Sequence, residues 1–69
     1  MKSTFDHRGY ELDCTPRATA TGTFTVRLVV TKKGFHPEKT FPSIDDLPSE
    51  ANAIARAKAF GEMWVDRQG

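Results

Sequence analysis

The chain has 69 residues, of which 28% are charged and 38% hydrophobic, and its ten Lys and Arg against nine Asp and Glu leave a formal net charge of +1. This composition is typical of a globular protein, and a chain of this length allows one domain, residues 1–69, with a small core. A net charge so close to zero excludes long-range attraction of nucleic acid or anionic lipid, so any such binding must come from a local patch.

Cysteine and histidine content limits the chemistry further. The chain has one cysteine, Cys14, and two histidines, His7 and His36. One cysteine excludes an internal disulfide, and this set has none of the spacings of structural zinc sites, so we expect no metal and no cofactor. No stretch approaches the roughly 18 apolar residues of a membrane span, and the first ten residues lack the apolar segment of a secretory signal. We therefore expect a cytoplasmic protein that does not bind membranes.

The first two predicted elements are strands that pair as a hairpin. Apolar and polar residues alternate from Tyr10 to Cys14 and again over residues 23–32, TFTVRLVVTK, with the turn-forming segment TPRATATG between them. One register places every apolar side chain on one face, with the pairs Cys14 and Phe24, Leu12 and Val26, and Tyr10 and Leu28. The same register sets Glu11 opposite Arg27 on the solvent face.

The third predicted strand is short. Gly34 and Pro37 mark a turn, and a strand follows from Glu38 to Phe41. Pro42 ends this strand or marks a sheet edge, because proline cannot donate to a central ladder. The segment PSIDDLP, residues 42–48, is then a connector that tucks Ile44 and Leu47 against the core.

A helix is predicted from about Glu50 to Val65, with Ser49 as its N-cap. At 100° per residue, the side chains that fall within one arc of about 140° are Ala53, Ile54, Ala57, Phe60, Gly61, Trp64 and Val65. An arc of this width is typical of a face that packs on a sheet. Glycine weakens a helix by about 1 kcal/mol relative to alanine, so Gly61 inside this arc indicates close approach of the helix backbone to a strand.

These elements predict an α+β fold: a three-stranded antiparallel sheet with one C-terminal helix packed on one face, in the order β-β-β-α. The other sheet face would carry Glu11, Asp13, Thr25, Arg27, Val29 and Thr31, which is polar enough to stand in water. It would serve equally as a polar surface for a dimer or a ligand.

On the predicted helix, Ala55, Ala59 and Met63 follow one another at intervals of four residues, away from the apolar arc. Such a narrow stripe of small and flexible groups is a candidate partner-binding surface that would seat another helix. The alternative is that alanine is present as a strong helix former and Met63 is an isolated exposed residue.

A second candidate surface is basic and is centred on the turn between the second and third strands. In it, Lys32, Lys33 and Lys39 flank Phe35 and His36, and Arg27 lies nearby. Cations mixed with an aromatic ring are typical of proteins that bind single-stranded nucleic acid. The alternative is that the lysines are solvated residues that keep sheet edges from pairing.

No group of residues in the sequence points to catalysis, so we expect a protein that is not an enzyme. Cys14 alternates with apolar residues and is expected to be a buried hydrophobic group. His7 and His36 have no partner evident from sequence spacing. Asp45 and Asp46 are adjacent acids before a helix, where carboxylates complement the helix dipole.

Four segments together resemble a known group of proteins. "RGYELDCTP", "VRLVV", "KTFPS" and the closing "A…A…FGEMWVD" are similar to small proteobacterial β-β-β-α proteins of uncharacterised function. That group has an opening Gly-Tyr strand and a C-terminal Gly-x-x-Trp-[Ile/Val]-Asp signature, which here is Gly61, Trp64, Val65 and Asp66. The resemblance implies the fold, and it implies no activity and no catalytic or ligand-binding residues.

The sequence therefore predicts a small non-catalytic interaction module that binds an unknown protein partner or forms a homodimer, through the helix stripe or the open sheet face. The alternative is a nucleic-acid-binding module that uses the basic turn at residues 32–39.

Overall fold

A computed structural model describes residues 2–32 and 37–68 as one antiparallel sheet with a helix across one face. The elements are β1 (Thr4–His7), β2 (Tyr10–Asp13), β3 (Arg17–Ala18), β4 (Phe24–Lys32), β5 (Pro37–Leu47) and α1 (Glu50–Gln68). β4 lies at the centre, with β2 and β3 along one side and β5 along the other, and β1 pairs with β2. The α+β class, the antiparallel sheet and the C-terminal helix are confirmed.

The prediction of three strands is wrong, because the part of the chain that the structure describes forms five. The strand missed at the start of the chain, β1, is joined to β2 by a two-residue turn in which Arg8 has φ 51° and Gly9 has φ 82°. Positive φ at both positions is the turn geometry that matches the twist of a hairpin. Arg-Gly is a weaker signal for this turn than Asn-Gly, and β1 contains one large apolar residue, Phe5, so its sequence gave little indication of a strand.

The predicted pairing of the central hairpin is also wrong, although the predicted face is right. Leu12 lies opposite Val30, and Tyr10 lies opposite Lys32, a shift of four residues from the expected register. The shift arises because β3 pairs with Phe24 and Thr25 and so occupies the place expected for Cys14. An even shift keeps side chains on the same face. Glu11 consequently lies opposite Thr31 and not opposite Arg27.

β5 begins near the predicted position and continues to Leu47, so most of the expected connector is strand. Phe41 lies opposite Leu28, and Asp45 lies opposite Val26. Residues 42–44 of β5 therefore lie opposite a single residue of β4, Arg27. This irregularity contains Pro42, in agreement with its expected place at a sheet edge. Ile44 and Leu47 pack against the core as predicted.

α1 begins as the sequence predicts. Ser49 Oγ accepts a hydrogen bond from Asn52 N (3.3 Å), and the Ser49 carbonyl accepts one from Ala53 N (3.0 Å). Glu50 lies in the first turn and Arg67 in the last, so both complement the helix dipole. The helix ends at Gln68, three residues beyond the prediction. Nothing helical within the described residues has the length and apolarity needed to cross a bilayer.

The core lies between α1 and the sheet face that carries the even-numbered residues of β4. Its fully or nearly buried members are Leu12, Cys14, Val26, Leu28, Val30, Ala53, Ile54, Ala57 and Val65. Gly61 is buried among them, and a Cβ built on it would lie 3.1 Å from the Leu12 methyl groups and 3.2 Å from Leu28 Cδ1. These distances confirm that the helix backbone approaches the sheet at Gly61.

The contact at Gly61 predicts a large effect of a branched side chain. Gly61→Val should lower the free energy of unfolding by about 2 kcal/mol, because the added methyl groups overpack Leu12 and Leu28. Ala55→Val is the matched control, since Ala55 is exposed on the same helix and should lose less than about 1 kcal/mol of helix propensity. Urea denaturation measures both, and equally small losses would contradict the close approach.

Candidate interaction surface

The outer side of α1 carries the predicted partner-binding residues. Ala55, Ala59 and Met63 are all exposed. Met63 has 55% of its surface exposed, and among the described residues it is the one large hydrophobic side chain that is classed as exposed. A single exposed apolar residue is common in soluble proteins, so its surroundings decide whether it matters.

Beside Met63 the surface forms a shallow groove of about 120 Å³, here named the α1 groove, lined by Arg56, Ala59, Phe60 and Met63. The groove includes two of the three predicted stripe residues, and Ala55 lies outside its lining. Arg56 and Phe60 were not predicted as part of the surface. The sequence does place these residues on one side of the helix. Spacings of four, three and four residues separate Arg56, Phe60, Met63 and Arg67, so their side chains are neighbours on the helix surface.

The wall of the α1 groove formed by Phe60 is anchored to the sheet by a row of aromatic rings. The Phe60 ring packs edge-on against Phe41 of β5, with centroids 4.9 Å apart. Phe41 also contacts Trp64 edge-on at 6.5 Å, and Trp64 contacts Tyr10 of β2 at 6.4 Å. Edge-to-face pairs of this kind add stability beyond the area that they bury. The α1 groove is therefore preformed on one side.

On the opposite flank of α1, charged residues bind the β1–β2 hairpin. His7 Nε2 donates a hydrogen bond to Asp66 Oδ1 at 2.9 Å, and an Arg8 guanidinium nitrogen lies 3.6 Å from the same oxygen. Lys58 Nζ lies 3.4 Å from Glu62 Oε2 and 5.3 Å from the centroid of the Phe5 ring. His7 and Arg8 thus hold the hairpin turn against Asp66 in the last turns of the helix, and Lys58 lies over the Phe5 ring of β1.

The two arginines beside the α1 groove differ from the charged residues of the opposite flank in their ion pairing. Arg56 and Arg67 form no ion pair or hydrogen bond with any of the described residues, whereas Lys58, Glu62 and Asp66 are all engaged. The two flanks of α1 are therefore electrostatically unlike. One is neutralised within the molecule, and the other presents cations to solvent.

The predicted basic surface is divided by the sheet. Arg27 lies on the open face, because its neighbours Val26 and Leu28 face the core, while Lys32 lies opposite Tyr10 and Lys39 opposite Val30 on the helix side. Lys39 Nζ lies 5.7 Å from the Phe41 ring centroid. Lys33 and His36, together with Phe35, lie outside the described residues.

The open face of the sheet is mixed in charge. The register places on it the carboxylates of Asp6, Glu11, Asp13 and Asp46 and the guanidinium groups of Arg17 and Arg27. Thr25 Oγ1 donates to Asp46 Oδ1 at 2.8 Å, and a recess of about 40 Å³ lies between Asp13 and Arg27. Among the described residues the face thus has more carboxylates than cations, a balance that does not attract phosphate.

Cys14 and His7 lie too far apart to act together. They are at opposite ends of the β1–β2 hairpin, since His7 adjoins the turn while Cys14 N donates to the carbonyl of Ser3. The four residue steps of extended chain from Tyr10 to Cys14 span about 13 Å. The Cys14 side chain is fully buried, and burial raises the pKa of its thiol to about 11. Within residues 2–32 and 37–68, no group of His, Cys, Asp and Glu is arranged to hold a metal ion.

Comparisons with protein-family models, with curated proteins and with solved structures find no match to this chain. The resemblance to small proteobacterial β-β-β-α proteins therefore stays a prediction. The α1 groove is therefore a candidate interaction surface on the grounds of its shape, exposure and charge.

Burial of Cys14 predicts a specific loss of stability at high pH. Desolvation, with a smaller contribution from the Asp13 carboxylate, raises the pKa of the thiol from 9.0 to about 11 in the folded state. Between these values the unfolded chain releases a proton that the folded chain retains, so stability present below pH 9 is lost as the pH rises to 11.

The unfolding free energy of the protein, relative to that of Cys14→Ala, should fall by roughly 2 to 3 kcal/mol across this window. Chemical denaturation at intervals of half a pH unit measures the difference, and the Ala variant removes the background from tyrosine and lysine titration. A constant difference from pH 9 to pH 11 would contradict the shift.

The contact between His7 and Asp66 should appear as a coupling energy in a double-mutant cycle. His7→Ala and Asp66→Asn, singly and together, should give a coupling of about 0.5 to 1 kcal/mol near pH 6, because both groups are partly exposed and water screens the pair. Raising the salt concentration should reduce the coupling. Additive effects of the two changes would show that the pair does not hold the hairpin to α1.

Proposed function

We propose that this protein is a small non-catalytic interaction module that binds a protein partner, or a second copy of itself, through the outer side of α1. The observation that carries the proposal is the α1 groove, with the exposed thioether of Met63 on one side and the anchored Phe60 ring on the other. Methionine adapts its shape to varied apolar partners, and it is frequent at such binding surfaces. The cytoplasmic location expected from the sequence is part of the same proposal.

The small size of the core also supports association. Among the described residues, one helix and one sheet face bury nine hydrophobic side chains. The chain has one cysteine and therefore no internal disulfide to add stability. Small domains of this kind gain stability when a partner covers further apolar surface. The arrangement of Cys14 and His7 favours binding over catalysis, since the first is buried and distant from the second.

Nucleic-acid binding is the second candidate function, and Lys32 and Lys39 are the described residues that favour it. They lie on neighbouring strands on the helix side of the sheet, and Lys39 sits above the Phe41 ring, an arrangement that would receive a stacked base and its phosphate. Arg27 belongs to the other face and would not join them. Because the sheet separates Arg27 from the two lysines, nucleic-acid binding is the weaker candidate function.

Met63→Lys tests the leading proposal. A charged group in place of Met63 should leave the fold intact, because Met63 is outside the core, and should abolish self-association or partner binding that uses the α1 groove. Sedimentation over a range of protein concentrations and capture of partners by the purified protein measure the two forms of association. Lys58→Met, on the opposite flank of α1, is the matched control for a changed helix surface.

Association that is equal in the protein and in Met63→Lys would exclude the α1 groove as the binding surface. In that case, amide shifts that cluster near Lys32 and Lys39 on addition of single-stranded DNA or RNA, and that weaken steeply with salt, would favour nucleic-acid binding instead.

A further inference from the structure

The α1 groove is bracketed along the helix by two positive charges. Arg56 precedes Phe60 by four residues, and Arg67 follows Met63 by four residues, so the apolar pair lies between the arginines on one flank. Arg56 and Arg67 are eleven positions apart in the helix, which corresponds to about 16 Å along the axis. A helical segment that lies along α1 over the groove therefore extends past Arg56, which lines the groove, and reaches Arg67 beyond its other end.

Both arginines are available for a partner. Neither forms an ion pair within the described part of the chain, in contrast to Lys58 and Arg8 on the opposite flank, which already meet Glu62 and Asp66. Guanidinium groups form strong two-point hydrogen bonds with carboxylates, particularly where apolar surface excludes water. The positive charges beside the groove, which no described residue neutralises, are thus complementary to an acidic ligand.

On this basis we propose that the α1 groove binds an acidic amphipathic segment of a different protein. An apolar side chain of the segment occupies the space between Phe60 and Met63, and carboxylates on either side of it bind Arg56 and Arg67. The inference rests on the proposed function and specifies its partner class.

A second copy of this chain fits the same groove poorly. A two-fold axis that brings two α1 grooves together also brings the arginines of both copies to one interface, because each copy contributes the same patch. Repulsion between these cations opposes such a dimer. The described carboxylates of α1 near its C-terminal end, Glu62 and Asp66, are engaged on the opposite flank and do not offset it.

A membrane surface also fits poorly. Stable binding to anionic lipid needs a cluster of cations and several large apolar side chains that enter the bilayer. The outer side of α1 supplies one large exposed hydrophobic residue, Met63, with two arginines. A groove bracketed by charges suits the anchor residue of a helix better than a lipid interface.

Three synthetic helical peptides test the charge requirement. All carry the same central apolar face, and two positions eleven residues apart are both Glu, both Gln or both Lys. Binding to the full chain is followed by the shifts of the α1 amides and the Met63 methyl group. The Glu peptide should bind most tightly, the Gln peptide about tenfold more weakly, and the Lys peptide should not bind measurably.

Charge reversal on the protein provides the matched test. The double variant Arg56→Glu and Arg67→Glu should no longer bind the Glu peptide and should bind the Lys peptide. A merely structural role of the arginines would not produce this reversal. Arg17→Glu is the control, because Arg17 is an exposed cation of β3 on the open sheet face. It should leave the order of the three peptides unchanged.

Equal binding of the Glu and Gln peptides would overturn the acidic-partner inference and leave the groove as a neutral binding surface, so the proposed function would survive. Absence of shifts in α1 with all three peptides would overturn the inference, while the Met63→Lys experiment decides the proposed function separately. Binding to phosphatidylglycerol vesicles, lost in the double variant and accompanied by no peptide binding, would assign the arginines to a lipid surface instead.

Discussion

The backbone of α1 approaches the sheet closely at Gly61, and this approach determines which side of the helix is buried and which side is exposed. Leu12 and Leu28 occupy the space that a side chain at Gly61 would need. Contact at this point sets the height of the helix above the sheet and its rotation about its own axis. Ala53, Ile54, Ala57 and Val65 are consequently buried, and the side that carries Ala59 and Met63 faces solvent. The exposed surface of the molecule is therefore a consequence of how its core is packed.

The same rotation makes the two flanks of the helix unlike. The flank towards β1 meets His7, Arg8 and Phe5, and its charged side chains are used within the molecule. The flank towards β5 meets the aromatic ring of Phe41, which supports Phe60, and Arg56 and Arg67 form no ion pair with the described residues there. A surface with an apolar centre and cations at its ends gives a partner both desolvation energy and specificity. The asymmetry explains why binding is proposed on one side of the helix alone.

Local patterns in the sequence were enough to predict the helix, its Ser49 cap, the apolar face of α1 and the face of each central strand. These depend on periodicity and on short-range chemistry, which neighbouring residues determine. The register of β2 against β4 was missed because the two-residue strand β3 competes for the start of β4, and nothing local to Cys14 reveals that competition. The α1 groove was found in part, since the exposure of Ala59 and Met63 follows from the helical wheel, while the contribution of Phe60 depends on its long-range contact with Phe41.

The hydrogen bond between His7 and Asp66 joins positions 59 residues apart, and α1 follows every strand of the sheet in the chain. During synthesis on the ribosome, the strands emerge first, and the apolar sides of Leu12, Val26 and Leu28 have no cover until residues 50–68 have been added. Contacts so distant in sequence close late, because the entropy of closing a long loop must be overcome before they form. The protein is thus expected to complete its fold only after the helix has left the exit tunnel, and a chain without residues 50–68 would leave the apolar face of the sheet uncovered.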